Sequence, residues 1–155
     1  MSYFYLDSSA LVKRYLTEIG SAWIATLMSP VSENTIVVAE ITRVEVAAAI
    51  AARQRASSGI ALTERDELMR LLLLHFDAEY AITRLSTPVI SQAVRLTQNH
   101  RLRGYDAVQL ATALDTHATA LAAGLPGLVF IAADNDLVRA ARAEGLTADN
   151  PNVHP

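Results

Sequence analysis

Apolar residues fall into two kinds of run along this chain. The first is short, continuous and rich in β-branched or aromatic side chains: YFYL at 3–6, TIVVAE at 35–40 and GLVFIAA at 127–133, with a weaker example in AITRL at 81–85. None alternates cleanly between apolar and polar, as a strand with one wet face would. The pattern therefore predicts strands buried on both faces of a parallel sheet. The second kind is longer, and its apolar positions recur every three to four residues. It predicts helices over roughly 9–28, 42–55, 63–80, 87–100, 105–123 and 135–144. Strand and helix alternate, which predicts an α/β fold with helices on both faces of the sheet. Turn chemistry marks the breaks at MSPVSENT, RASSG and AAGLPG, and DNPNVHP predicts a frayed end. No repeat or linker divides the chain, so the expected organisation is one domain over 1–148 and a tail over 149–155.

Composition narrows the chemistry. At 52% hydrophobic the 155 residues can fill a core and lie far from the disordered range. A net charge of -3 argues against binding nucleic acid by bulk electrostatics, so any such contact must come from local basic patches or through a metal. The absence of cysteine excludes disulfides, thiolate zinc sites and a cysteine nucleophile. Asp7 interrupts the apolar start and no cationic segment precedes it, so no secretory signal is expected. The run LMRLLLLHF is too short and too charged to span a bilayer. The expectation is a soluble cytoplasmic protein with no membrane partner.

Four acids occupy equivalent places. Asp7 stands where YFYL hands over to a helix. Glu45 lies in the first turn of the helix that follows TIVVAE, and Asp106 in the first turn of YDAVQLATALDTHA. Asp134 follows GLVFIAA, with Asp136 two residues on. Each has a plain local explanation. Asp7 and Asp134 suit N-caps, Thr42-x-x-Glu45 fits a capping box, and Asp106 complements a helix dipole. Together they point further. Parallel strands end on one edge, which is where open α/β sheets bind ligands. Four carboxylates gathered there would repel and raise one another's pKa. A hard divalent cation with oxygen ligands, Mg²⁺ or Mn²⁺, gives a stable fold a reason to tolerate that.

Neighbouring residues extend the picture. Ser8 and Ser9 can cap the helix, orient Asp7 or hold a metal-bound water. Lys13, Arg14, Arg43, Arg101 and Arg103 are candidates for a basic rim that holds a phosphate backbone, although each singly suits a solvated surface. The four histidines have no metal-ligand spacing, and there is no G-x-G-x-x-G, Walker loop or G-x-S-x-G, so no nucleotide cofactor is expected.

Over nearly its whole length the chain resembles the PIN-domain family, and within it the VapC-type ribonuclease toxins. The resemblance is carried by YLDSSALVKRY, TRVEVAAAI, LRGYDAVQLATAL and FIAADNDLVRAARAEGL. It implies a three-layer α/β/α sandwich with a central, mainly parallel sheet, so that 1–148 would be a PIN-like nuclease domain. It maps Asp7, Glu45, Asp106 and Asp134 onto the family's acidic quartet, with Asp136 as an auxiliary acid. It further implies Mg²⁺ or Mn²⁺, RNA as substrate and a co-expressed antitoxin as partner. One departure is Ala132, where such sequences commonly carry Ser or Thr two residues before the last acid.

The expected chemistry is metal-assisted phosphodiester hydrolysis, with Asp7, Asp106 and Asp134 as ligands. Glu45 either completes the metal shell or takes a proton from the attacking water. Two alternatives stand beside it: a PIN-like interaction protein without catalysis, and a metal-dependent phosphatase-like α/β protein. Helix 63–80 carries Leu68, Met69, Leu71, Leu72, Leu73, Leu74 and Phe76 nearly all round it. With the preceding helix it is expected to clasp an apolar antitoxin segment. A homodimer is expected through a separate face.

Overall fold

Tyr5, Val37 and Phe130 belong to one buried cluster, and their chain neighbours Leu6, Val38 and Ile131 belong to another. None of the six is more than 5% exposed. Strands with both rows of side chains buried must be covered on both faces. The computed structural model, which describes residues 2–154, shows that arrangement. The strands are β1 (Tyr3–Leu6), β2 (Thr35–Ala39), β3 (Ala81–Thr83), β4 (Leu128–Ile131) and β5 (Thr147–Asp149). They form one sheet in the order β3-β2-β1-β4-β5, and every neighbouring pair is parallel.

The Leu6 face packs against α1 (Ser8–Leu11), α2 (Ser21–Leu27), α3 (Thr42–Arg55) and α4 (Leu62–Ala78). The Tyr5 face packs against α5 (Thr87–Asn99), α6 (Gly104–Ala122) and α7 (Asn135–Ala143). The result is the expected three-layer α/β/α sandwich. From β1 the chain steps outward through β2 to β3, then returns to lay β4 and β5 on the other side of β1. The strand order therefore reverses between β1 and β4, which opens a crevice at their carboxyl ends. No helix among the described residues is long and apolar enough to cross a membrane.

Three local expectations change. The helix expected over 9–28 is broken: α1 gives way to a 3-10 turn over Val12–Arg14, and α2 starts afresh after Gly20. Gly20 has φ +85°, a left-handed conformation that suits glycine. Its Cα also lies so close to Pro151 that a Cβ would sit 2.2 Å from the Pro151 carbonyl oxygen. The second change is β5, a three-residue edge strand too short to show a pattern in the sequence. The third is the expected frayed end. Asn150 and Pro151 are buried, Pro151–Val153 form a 3-10 turn, and the His154 ring stacks on Trp23 with centroids 4.4 Å apart.

Candidate active site

The sheet places its acids by helix starts. Asp7 follows β1 and caps α1: its Oδ1 accepts hydrogen bonds from the Ala10 backbone N–H at 3.0 Å and from the Ser9 hydroxyl at 2.7 Å. Asp134 follows β4 and caps α7, accepting from the Leu137 N–H at 2.9 Å. Capping and membership of a site are thus compatible for both, since each cap engages one oxygen of a two-oxygen group. Asp106 lies in the first turn of α6.

Glu45 departs from its local explanation. Residue Ile41 occupies the N-cap of α3 without a side-chain cap, so no capping box forms. The Glu45 carboxylate instead accepts a hydrogen bond from Gln109 Nε2. Gln109 is almost fully buried on α6, one turn after Asp106. Its amide also donates to the Thr42 hydroxyl at 2.9 Å and accepts from the Tyr5 hydroxyl at 2.8 Å. Gln109 thereby ties β1, α3 and α6 together beneath the acids. No motif in the sequence marks it as a site residue. The available signal was its i,i+3 spacing from Asp106, which puts both on one helix face.

The electrostatics converge on Asp106. Burial pushes the Asp7 carboxyl up from 3.8 to about 7, and repulsion from Asp106 adds to that. The groups that pull it back down most are the Ser9 hydroxyl and the backbone amides of Ala10 and Ser9. Burial likewise raises Glu45, again with a contribution from Asp106, while Gln109 and Ser8 oppose it. Asp106 itself is raised by burial and by Asp134, with Arg103 in opposition.

Asp106 and Arg103 line two neighbouring clefts. One, of about 570 Å³, includes Glu45 together with Ile90, Val94 and Tyr105. The other, of about 330 Å³, includes Arg101, Asp134 and Asp136. Asp136 is exposed and pairs with Arg139 on its own helix.

The four acids expected to converge do not line one cleft: Glu45 lines the first, Asp134 the second, Asp106 both and Asp7 neither. Among the described residues, no three acids or histidines stand close enough to enclose an ion by themselves. The basic candidates divide. Arg101 and Arg103 are exposed beside Asp106 and Asp134. Lys13 is 5% exposed and paired with Glu18 at 3.2 Å. Arg14 is held by the Tyr80 hydroxyl and by Glu79 at 2.7 Å. Arg43 lies over the Phe76 ring and pairs with Asp77 at 3.6 Å. None of these last three cations lines either cleft with the acids.

A three-layer sandwich with carboxylates at the switch point of a parallel sheet defines a class of α/β protein with an acidic crevice. Similarity to known proteins places the chain within that class. It belongs to the PIN-domain family, whose model matches residues 4–143. It is 35% identical to Ribonuclease VapC45 and to Ribonuclease VapC49, both from Mycobacterium tuberculosis strains, over 97% of this chain and 97% of each relative. Its fold is shared with a toxin-antitoxin complex from Klebsiella pneumoniae, with TM-score 0.58, 17% identity and coverage of 96% of this chain and 97% of that one. It is also shared with FitAB bound to an IR36 DNA fragment, with TM-score 0.63, 17% identity and coverage of 96% and 94%.

Proposed function

We propose that this chain is a divalent-metal-dependent endoribonuclease and the toxin of a cytoplasmic toxin–antitoxin pair. The names of its full-length relatives support the ribonuclease reading. The observation that carries it is the buried Asp7 carboxylate at the β1–β4 switch point. It is 2% exposed, burial raises it, and the Asp106 carboxylate is near enough to repel it. Such a pair gains most from a ligand that brings positive charge.

The donor set fits Mg²⁺ or Mn²⁺. All candidate ligands are carboxylate oxygens, the preferred donors of hard cations. Such an ion needs only one or two carboxylates from the protein and keeps waters and substrate phosphate for the rest. Asp7 and Asp106 would hold it, with Asp134 alongside. When bound, the ion would supply a Lewis acid for the phosphate and lower the pKa of a bound water.

The chain's own residues do the rest. Ser9 and the Ala10 amide fix the Asp7 carboxylate in one orientation. Gln109 aims Glu45, whose raised pKa suits it to accept a proton from the attacking water. Arg101 and Arg103 at the rim would bind the flanking phosphates of RNA. The test is cleavage of RNA by purified protein with Mg²⁺ or Mn²⁺, against EDTA and an Asp106→Asn control. Activity that survives EDTA or Asp106→Asn overturns the reading.

Two surfaces suit protein partners. On α4, Leu72 and Phe76 are core residues, but Leu62, Leu73 and Leu74 are about half exposed. That apolar surface is the proposed seat of the antitoxin segment. Ile90, Val94 and Tyr105 form a second exposed apolar face beside Glu45 and Asp106. It is the proposed homodimer face. Val94→Asp should lower the sedimenting mass to that of one chain, and an unchanged dimer would remove this face from the assembly.

A further inference from the structure

The family match ends at residue 143, yet the segment beyond it is built into the turn that carries Asp134. Asn150 is 6% exposed. Its Nδ2 donates to Asn135 Oδ1 at 2.7 Å and reaches the Ala133 carbonyl at 3.4 Å. Asn152 donates to that same carbonyl at 3.3 Å. Asn150 Oδ1 accepts from the Asn152 N–H at 2.9 Å, which closes the 3-10 turn. On its other side Ala133 donates its N–H to the Ser9 hydroxyl at 2.8 Å, and that hydroxyl donates to Asp7. Ala133 is thus clamped between the partner of Asp7 and the C-terminal segment, and the next residue is Asp134.

The segment is itself firmly seated. The Ala132 N–H donates to the Asp149 carbonyl at 3.2 Å, Pro151 packs onto Gly20, and His154 stacks on Trp23.

We propose that Asn150 is a positioning residue. It holds the Ala133–Asn135 turn, and through it sets the Asp7 and Asp134 carboxylates in register for phosphodiester cleavage. The assignment of that chemistry rests on the ribonuclease reading above. Outer partners that orient metal-ligating groups typically change metal affinity or activity by roughly 10- to 100-fold when removed, and Asn150 acts on the turn that carries such a group.

The experiment uses Asn150→Ala, Asn150→Asp and Asn152→Ala in the full chain. The Asp variant keeps the acceptor for Asn152 but loses the donors. Residue 152 is exposed, so its variant carries little folding risk. Three readouts are taken: Trp23 fluorescence, amide exchange over residues 132–137, and kcat and KM for RNA. Trp23 is the only tryptophan and its ring reports the docked tail.

Both Asn150 variants should keep the Trp23 signal and exchange the turn faster. They should lose roughly 10- to 100-fold in kcat with KM within about twofold. Asn152→Ala should do the same to a smaller degree. Unchanged exchange in both Asn150 variants, or faster exchange with unchanged kcat, overturns the proposal. If both Asn150 variants unfold, unchanged kcat in Asn152→Ala overturns it as well. A wild type that cuts no RNA, with turn exchange still faster in Asn150→Ala, upholds the clamp and overturns the ribonuclease reading.

Discussion

Replacing Asp7 with Asn should stabilise the metal-free protein, and the gain should depend on pH in one direction. Asn has the same shape as Asp, and its carbonyl can still accept from Ser9 and Ala10, so the cap of α1 survives. What disappears is a buried negative charge. The carboxyl is raised from 3.8 to about 7, so the folded state holds the proton more tightly than the unfolded chain does. Stability from this group is therefore fully present below pH 3.8, declines as pH rises from there, and is lost above about pH 7. A rise of roughly three pH units, at about 1.4 kcal/mol each, means that the ionised carboxylate costs about 4 kcal/mol at pH 8. For a domain of this size that is roughly 10 °C in Tm. Thermal unfolding in EDTA should show Asp7→Asn well above wild type at pH 8, with the two curves approaching each other toward pH 4. Adding Mg²⁺ should narrow the difference at pH 8 by stabilising wild type alone. A variant less stable than wild type at pH 8, or a difference that ignores pH, would mean that the ionised Asp7 carboxylate does not destabilise the fold.

Surface exposure sharpens two further predictions. Neutralising Arg101 and Arg103 to Gln should weaken RNA binding equally across sequences and reduce its salt slope by about one unit for each phosphate no longer neutralised; altered cleavage-site preference with the slope unchanged would make them base readers instead. On α4, Leu73→Asp with Leu74→Asp should cost antitoxin affinity and leave RNA cleavage intact, whereas Leu72→Asp should unfold the protein because its side chain is fully buried. Full antitoxin affinity in the Leu73/Leu74 variant, read by calorimetric titration, would take the partner surface away from this helix.

Local patterning carried most of the elements. Four of the five strands and the bounds of α3 to α7 were readable because burial period and turn chemistry act over a few residues. The carboxylates were readable for a related reason. A parallel sheet puts every strand end on one edge, so an acid at a helix start after a strand has few places to be. Beyond that the sequence was ambiguous, because a capping carboxylate and a site carboxylate are the same residue in the same position. Asp7 and Asp134 cap their helices and are proposed site acids as well, and Thr42-x-x-Glu45 has the spelling of a capping box that does not form. Partner choice decided that case: Gln109, buried by the packing of α6, takes the Glu45 carboxylate. Similar competition engages Lys13, Arg14 and Arg43, which pair with Glu18, Glu79 and Asp77 and line neither cleft. The strand β5 and the docked C-terminus were illegible because three residues carry no period. They are held by pairing with β4, by the Arg142 guanidinium on the Ala148 carbonyl and by the packing of Pro151 on Gly20. Periodicity and caps are properties of neighbours in the chain. Which polar group meets which partner depends on groups up to 124 residues apart, as Ser9 and Ala133 are, and only the closed fold brings them within a hydrogen bond.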